Sequence, residues 1–250
     1  MNKIFCGDCL EILSQIKDNS VQLIVADPPY YLLNKEWDKK QWKTTEDYLN
    51  WCRLWFVECN RILDKDGSIY IFQDWRMVSE FVIELKKIFP YFRNWITWER
   101  NKGRASKTNF KSSKEEILYF SKSSTPTFHE QLKIRPVIAP YKNEDGTPKG
   151  WFCDEEGNRV RWTGVGNVWH YTPPVWSSKE EKPFHPTQKP LMMLERIIGS
   201  SSNEGDLVVD LFAGSGVASV MAKKLGRNFI GIESNKEYCE KINERLEFFQ

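Results

Sequence analysis

The sequence predicts an α/β protein built on a doubly wound, mostly parallel sheet. Short apolar runs alternate with segments of helical period, and the most apolar of them, Val21 to Ala26, has the unbroken hydrophobicity of a strand buried on both faces. Two turns rich in proline or glycine, Asp27-Pro28-Pro29-Tyr30 and Asp210 to Gly216, directly follow strands, which puts them at the carboxyl end of such a sheet.

The chain of 250 residues can bury a full core and suits one catalytic domain carrying an insertion. With 40% hydrophobic and 28% charged residues it has the make-up of a soluble globular protein, and no apolar run approaches the roughly 20 residues of a membrane span. The opening MNKIFCGDCLEIL has no basic-apolar leader pattern, so a cytoplasmic location and no membrane partner are expected. A net charge of +2 does not by itself point to nucleic acid. Eleven Trp and nine Tyr offer flat faces for stacking on bases, although most large aromatics fill cores.

In chain order, residues 3–8 read as a strand and 9–17 as a helix with Leu10, Ile12, Leu13 and Ile16 on its apolar side. A strand at 21–26 ends where Pro28 and Pro29 stop ladder bonding. After a loop with Trp37 and Trp42, Thr44 or Thr45 caps a helix to about Leu63, with Glu46 and Asp47 in its first turn. Asp66-Gly67 ends that helical unit ahead of a strand at 68–73, and 77–88 reads as a helix stopped by Phe89-Pro90. Strands at 92–99 and 116–121 flank the basic run RNKGRASKTNFKSSK. From Ser123 to about Phe184 no period persists, so an irregular lobe is expected. Regularity returns as a helix at 190–200, a strand in LVVDLF, a helix at 217–225, a strand in NFIGIE and a helix at 236–248.

Cysteine usage adds little. Cys6 and Cys9 form a C-x-x-C at a strand-to-helix junction, but no second pair completes a zinc site, and all six thiols are expected to be reduced.

The glycine-rich turn lets a ligand approach the backbone, and the following helix offers free amides to an anion. Glu233, ending the next strand, stands where nucleotide-binding folds keep a carboxylate for ribose hydroxyls. A dinucleotide fingerprint would need a third glycine where the chain has Ser219. Asp210 would repel a pyrophosphate and suits the cationic amino end of a methionine-like ligand. In the other turn, Asp27 and the rigid carbonyls of Pro28 and Pro29 form a row of acceptors. An exocyclic amino group of a base, whose lone pair is delocalised into the ring, becomes a nucleophile when such acceptors hold its hydrogens. Tyr30 would stack on a base that has left the duplex.

With these motifs the chain resembles the amino-methylating DNA methyltransferases, in the permuted beta class where Asp-Pro-Pro-Tyr precedes Asp-x-Phe-x-Gly-Ser-Gly. The resemblance covers residues 3–100 and 183–248. It implies a Rossmann-like, seven-stranded, circularly permuted sheet of the S-adenosylmethionine-dependent methyltransferase type. It also implies S-adenosyl-L-methionine as cofactor and double-stranded DNA as partner. Residues 1–100 and 183–250 become the catalytic domain, and 101–182 a target-recognition insertion that includes a core strand near 116–121. By the same resemblance Asp8 and Cys9 belong to the segment that contacts the cofactor's adenine. His185, Thr187 and Lys189, in His-Pro-Thr-Gln-Lys-Pro, line the methionine end. Phe212, Ala213, Gly214, Ser215 and Gly216 join Asp210, Asp27, Glu233 and Ser234 in that pocket. The chain departs from the family with Leu211 where proline is usual and Val217-Ala218 where two threonines are usual.

Lys102, Arg104, Lys107, Asn109 and Lys111, with Asn101 and Lys114, suit phosphate contacts and some reading of base edges. The Trp-rich run Trp151, Trp162, Trp169 and Trp176 fits either packing of the lobe or DNA contact. The family's cytosine-N4 members more often carry Ser-Pro-Pro, which favours adenine N6 here. A cytosine-N4 enzyme, a catalytically silent nucleic-acid-binding subunit and an RNA substrate are the competing readings. A homodimer and a cognate restriction endonuclease are the protein partners the resemblance raises.

Overall fold

The computed structural model describes residues 2–31, 42–100, 107–174, 184–185 and 187–248. Trp37, Asn101, Lys102, Arg104, Trp176 and Pro186 lie outside them. The described chain divides into two compact units, residues 129–166 and the remainder.

The larger unit is built on an eight-stranded sheet. Its strands are β1 (Asn2–Cys6), β2 (Val21–Ala26), β3 (Leu63–Gln73), β4 (Tyr91–Glu99), β5 (Lys114–Ser121), β9 (Val168–His170), β10 (Leu207–Asp210) and β11 (Asn228–Glu233), in the order β1-β11-β10-β2-β3-β5-β4-β9. Pairing is parallel except on the two sides of β5. Seven strands make the doubly wound sheet that the sequence predicts, and β9 adds a three-residue edge. Consecutive strands β10 and β11 run outward one way and β2 and β3 the other, so the winding reverses between β10 and β2. That reversal is the topological switch point, where open α/β sheets bind ligands. The permuted order shows in β1, which pairs residue by residue with β11 from the other end of the chain.

Helices α1 (Cys9–Leu13), α2 (Thr45–Ile62), α3 (Val78–Leu85), α4 (Leu191–Ser201), α5 (Val217–Lys224) and α6 (Lys236–Phe248) cover the sheet. Among the described residues no helix is long and apolar enough to cross a membrane. α2 starts in a capping box, in which the Thr44 hydroxyl accepts from the Asp47 amide and the Asp47 carboxylate from that of Thr44. Its buried residues Tyr48, Leu49, Cys52, Trp55, Phe56, Cys59 and Ile62 recur at helical spacing and form one face against the sheet. Trp55 contacts Phe56, Phe81 and Phe212 edge-on or tilted, so a cluster of rings lies under the switch point.

The structure shortens α1 to five residues. Beyond Leu13 the backbone tightens into three-residue turns, and the Ser14 hydroxyl and Gln15 amide compete for the Glu11 carbonyl. Asp66-Gly67 ends no unit. It lies within an early-starting β3, at a register shift opposite β2, where the Gln22 side chain donates to the Asp66 carbonyl at 2.9 Å.

Residues 129–166 are not irregular. They form an antiparallel sheet, β6 (Leu132–Pro136), β8 (Arg159–Gly164) and β7 (Phe152–Cys153), in the order β6-β8-β7. Strand alternation puts Lys133, Arg135, Arg159 and Arg161 on one face and Leu132, Ile134, Val160 and Trp162 on the other.

Gly231 marks a very close approach in the core. A methyl group there would stand 2.5 Å from Ile4 Cδ1 and 2.7 Å from Ser219 Oγ. Gly231→Ala should therefore destabilise the fold by about 1–3 kcal/mol through overpacking, read as a lower urea midpoint with an unchanged slope.

Candidate active site

The parallel strands deliver acidic residues to one edge of the sheet. Asp8 follows β1, Glu233 ends β11, Asp210 ends β10, Asp27 follows β2 and Asp74 follows β3. Register fixes the pair at the centre, since Asp210 is the partner of Val25 and lies across the switch point from the Ala26-Asp27 step.

On the β10 side, Gly214 and Gly216 adopt positive φ of 52° and 69°. A side chain at Gly216 would strike Ile242 at 2.5 Å, and one at Gly214 would press on the His185 ring at 3.3 Å, so this turn must be glycine on both counts. The Gly214 amide donates to Glu233 Oε2 at 2.8 Å and the Asn235 amide to Oε1 at 2.8 Å, which aims that carboxylate over the turn. Asp210 is buried, and its Oδ2 accepts from the Ser219 amide at 3.2 Å and hydroxyl at 3.1 Å. Burial raises its pKa to about 7 despite those two bonds, and the charges of Asp27 and Glu233 push the same way.

Phe212 packs on Trp51 and Trp55, Ala213 and Ser215 are buried, and Ser234 is exposed. His185 lies edge-on to Tyr238, and its Nδ1 is 3.2 Å from the Thr187 hydroxyl. Arg245 donates to Gln188 and to the Ser215 carbonyl, joining the His185 segment to the glycine-rich turn. Asp8 is the N-cap of α1, with Oδ1 accepting from the Leu10 amide at 2.8 Å and the Glu11 amide at 3.3 Å. Cys9 is buried, and burial pushes its thiol up to about 12; Cys6 and Cys9 are free thiols.

On the β2 side the structure reveals a network the motif alone did not announce. The Tyr30 hydroxyl donates to Asp27 Oδ1 at 2.6 Å, and Lys189 Nζ donates to Asp27 Oδ2 at 2.6 Å. Lys189 also lies 3.1 Å from the Tyr30 oxygen and 3.3 Å from Glu115 Oε2. Glu115 Oε1 takes a 2.7 Å bond from Arg100. Burial opposes the Lys189 ammonium, but Asp27 and Glu115 outweigh it and leave its pKa above the ordinary value. Burial, then Asp27 and Glu115, push the Tyr30 phenol well up, so it keeps its proton as a donor. Pro28 is buried, and the Pro29 carbonyl accepts from Tyr48 at 2.6 Å, so one carbonyl of the expected acceptor row is committed to the scaffold.

Lys107, Asn109, Lys111 and Lys114 are exposed, and Phe110 between them is 96% exposed. Lys114 pairs with Glu116 at 2.6 Å. Of the tryptophans, Trp169 is buried and carries Arg196 over its ring, Trp151 donates to the Tyr141 carbonyl, and Trp162 is 57% exposed. Sequence reading missed Glu115, Arg100, Tyr48 and the cationic face of β6 and β8. The only advance signals were the acidic pair after the basic loop and the alternation in LKIRP and RVRWTG.

An acid-headed double-proline turn and a glycine-rich turn facing each other across the switch point define a Rossmann-like methyltransferase. The family follows from comparison: residues 21–244 match the DNA methylase family of the N6/N4 type, and the chain belongs to it. It is 36% identical to the type II methyltransferase M1.MboII of Moraxella bovis, over 97% of this chain and 95% of that one. It is 34% identical to the DNA adenine methyltransferase YhdJ of Escherichia coli K12, over 98% and 82%. Among solved structures, TTHA0409 of Thermus thermophilus, a putative DNA modification methylase solved with S-adenosyl-L-methionine, superposes with a TM-score of 0.69 at 20% identity, over 100% and 94%. The PvuII cytosine-N4 methyltransferase also reaches 0.69, at 18% identity over 99% and 90%. The last two likenesses concern the fold.

The raised Asp210 pKa sets the sign of a stability effect. Between about pH 4 and 7 the folded chain keeps a proton the unfolded chain has lost, so stability falls as pH rises through that window. Asp210→Asn should remove much of the fall in urea midpoint between about pH 5 and about pH 8; an unchanged fall would show that Asp210 is not its source.

Proposed function

We propose that the chain methylates the exocyclic N6 of an adenine turned out of double-stranded DNA, with Asp27 as acceptor for the amino group. The observation that carries this reading is the Asp27 carboxylate at the switch point, held by Tyr30 and Lys189 beside the glycine-rich turn. S-adenosyl-L-methionine is the methyl donor and supplies a methyl group made electrophilic by its sulfonium. The donor set fits that cofactor: Asp210 and Glu233 set carboxylates at the glycine-rich turn and Asp8 follows β1 at the same edge of the sheet, which suits a cationic amino acid end and a ribose and would disfavour a phosphate. Glu233 would hold the ribose, with Ser234 beside it, Asp8 and Cys9 the adenine, and Asp210 with His185 and Thr187 the amino acid end. Phe212 to Gly216 form the floor.

Each oxygen of Asp27 keeps a lone pair beyond its bond to Tyr30 or Lys189. An amino hydrogen held there draws the nitrogen out of conjugation and aligns its lone pair, and Asp27 is placed to receive the proton the nitrogen sheds. The Pro28 carbonyl serves the second hydrogen, and Tyr30 flanks the base. Adenine is favoured because an aspartate, not a serine, heads the motif, and the likeness to the Escherichia coli adenine enzyme points the same way. The exposed Lys107 and Lys111 hold DNA phosphates, with Asn109 near base edges. The cationic strand face of Lys133, Arg135, Arg159 and Arg161 is by itself a further surface for phosphates.

Methylated DNA digested to nucleosides should contain N6-methyl-2′-deoxyadenosine; N4-methyl-2′-deoxycytidine alone would overturn the assignment. Asp27→Ala should cut transfer at least about 100-fold while leaving cofactor affinity near wild type, and full turnover would remove Asp27 from the site. Replacing Lys133, Arg135, Arg159 and Arg161 by alanine should flatten the salt dependence of DNA binding by about 0.9 for each phosphate no longer neutralised. An unchanged slope, measured by titration at several salt concentrations, would place the phosphates elsewhere.

A further inference from the structure

We propose that Lys189 is a positioning residue for Asp27, not a cofactor ligand, and that Glu115, backed by Arg100, is the counter-anion that holds it in place. The inference rests on the reading of Asp27 as acceptor for the target amino group.

An ammonium has three N–H bonds and no more. Those of Lys189 are matched by three partners, Asp27 Oδ2 at 2.6 Å, the Tyr30 oxygen at 3.1 Å and Glu115 Oε2 at 3.3 Å. The side chain is 8% exposed, with Phe72 and Tyr30 ring centroids 5.1 and 5.4 Å from its nitrogen. Two donors are hydrogen-bonded and the ammonium charge is paired by Asp27 and Glu115, which leaves little to draw the carboxylate of an amino acid ligand. The Tyr30 phenol has a single proton, and its 2.6 Å contact with Asp27 is shorter than the 3.2 Å contact with Glu115. The bonds therefore run in a directed ring, Lys189 to Tyr30, Tyr30 to Asp27 and Lys189 to Asp27, and both oxygens of Asp27 are fixed in position by it.

Charge explains why the ring needs Glu115. Asp27 and Glu115 both contact the Tyr30 hydroxyl, so without Lys189 two carboxylates would share one phenol in a poorly solvated place. Lys189 and Arg100 balance the two anions one for one. The four charged groups come from the end of β4, from β5, from the turn after β2 and from the segment before α4, so the fold has to be complete before the acceptor is set.

The test uses the whole 250-residue chain, fragments of unmethylated genomic DNA and S-adenosyl-L-methionine. Single-turnover transfer and cofactor affinity are measured for wild type, Lys189→Met, Glu115→Gln and the double variant. Misplacing Asp27 should slow transfer by Lys189→Met about 100-fold with cofactor affinity unchanged. Adding Glu115→Gln to Lys189→Met removes the uncompensated anion and should restore part of the rate. Cofactor affinity that weakens in step with the rate would make Lys189 a cofactor ligand and overturn the proposal. Losses that simply multiply in the double variant would overturn the role of Glu115. Should Lys189→Met fail to fold, Glu115→Gln alone must slow transfer at unchanged cofactor affinity, and a full wild-type rate from it overturns the proposal. Wild type run in parallel separates the two levels: no methylated amino group from wild type fails the functional reading, whereas normal wild-type transfer without the expected split fails this inference alone.

Discussion

Everything in this protein hangs on the seam between β10 and β2. Three residue pairs, Val208 with Leu23, Val209 with Ile24 and Asp210 with Val25, join strands from opposite ends of the chain. One register fixes the winding reversal, the level of the two turns and the distance between their acids. A slip of one residue would turn every side chain of β10 to the opposite face and carry Asp210 out of the edge. The seam is buried on both faces, with Val208, Val209, Leu23 and Ile24 inaccessible to solvent, so apolar packing enforces the register. Such non-local pairing also carries a large loop-closure cost, which slows folding.

The parallel core was legible because its physics is local. Val21 to Ala26 is apolar without interruption, and Pro28-Pro29 cannot continue a ladder, so the strand and its end followed from residue types. The glycine-rich turn was legible for the same reason, since Gly216 has to turn left-handed where Ile242 leaves no room for a side chain. The small sheet of residues 129–166 was harder to see. Its strands are two to six residues long and every residue of β6 is exposed, so there was no buried face to give the alternation weight. Glu115 and Lys189 were visible as residues, but nothing local says that positions 27, 115 and 189 meet. That meeting is a property of the strand order.

The two halves of the site handle charge in opposite ways. Around Asp27 each anion has its cation within hydrogen-bonding distance, and the group is neutral as a whole. Around Asp210 and Glu233 the hydrogen bonds are to backbone amides and a serine, and Asp210 answers by holding its proton more tightly. A balanced cluster has no net charge to be relieved by a ligand, which fits the acceptor role proposed for Asp27. An unbalanced one is relieved by an incoming cation, which suits a pocket that must fill and empty.

β5 runs against its neighbours, and that reversal turns the connector between β4 and β5 toward the catalytic edge. Had β5 been parallel, its first residue would stand at the far edge of the sheet. As it is, the two feet of the connector are tied by the Arg100 amide to the Ser113 carbonyl and by the Arg100–Glu115 ion pair. Whatever the connector contains between those ties can change in length and content without disturbing strand register. The fold thus mounts both ends of this connector beside the catalytic edge on a fixed socket, so that strand register does not depend on the stretch between them.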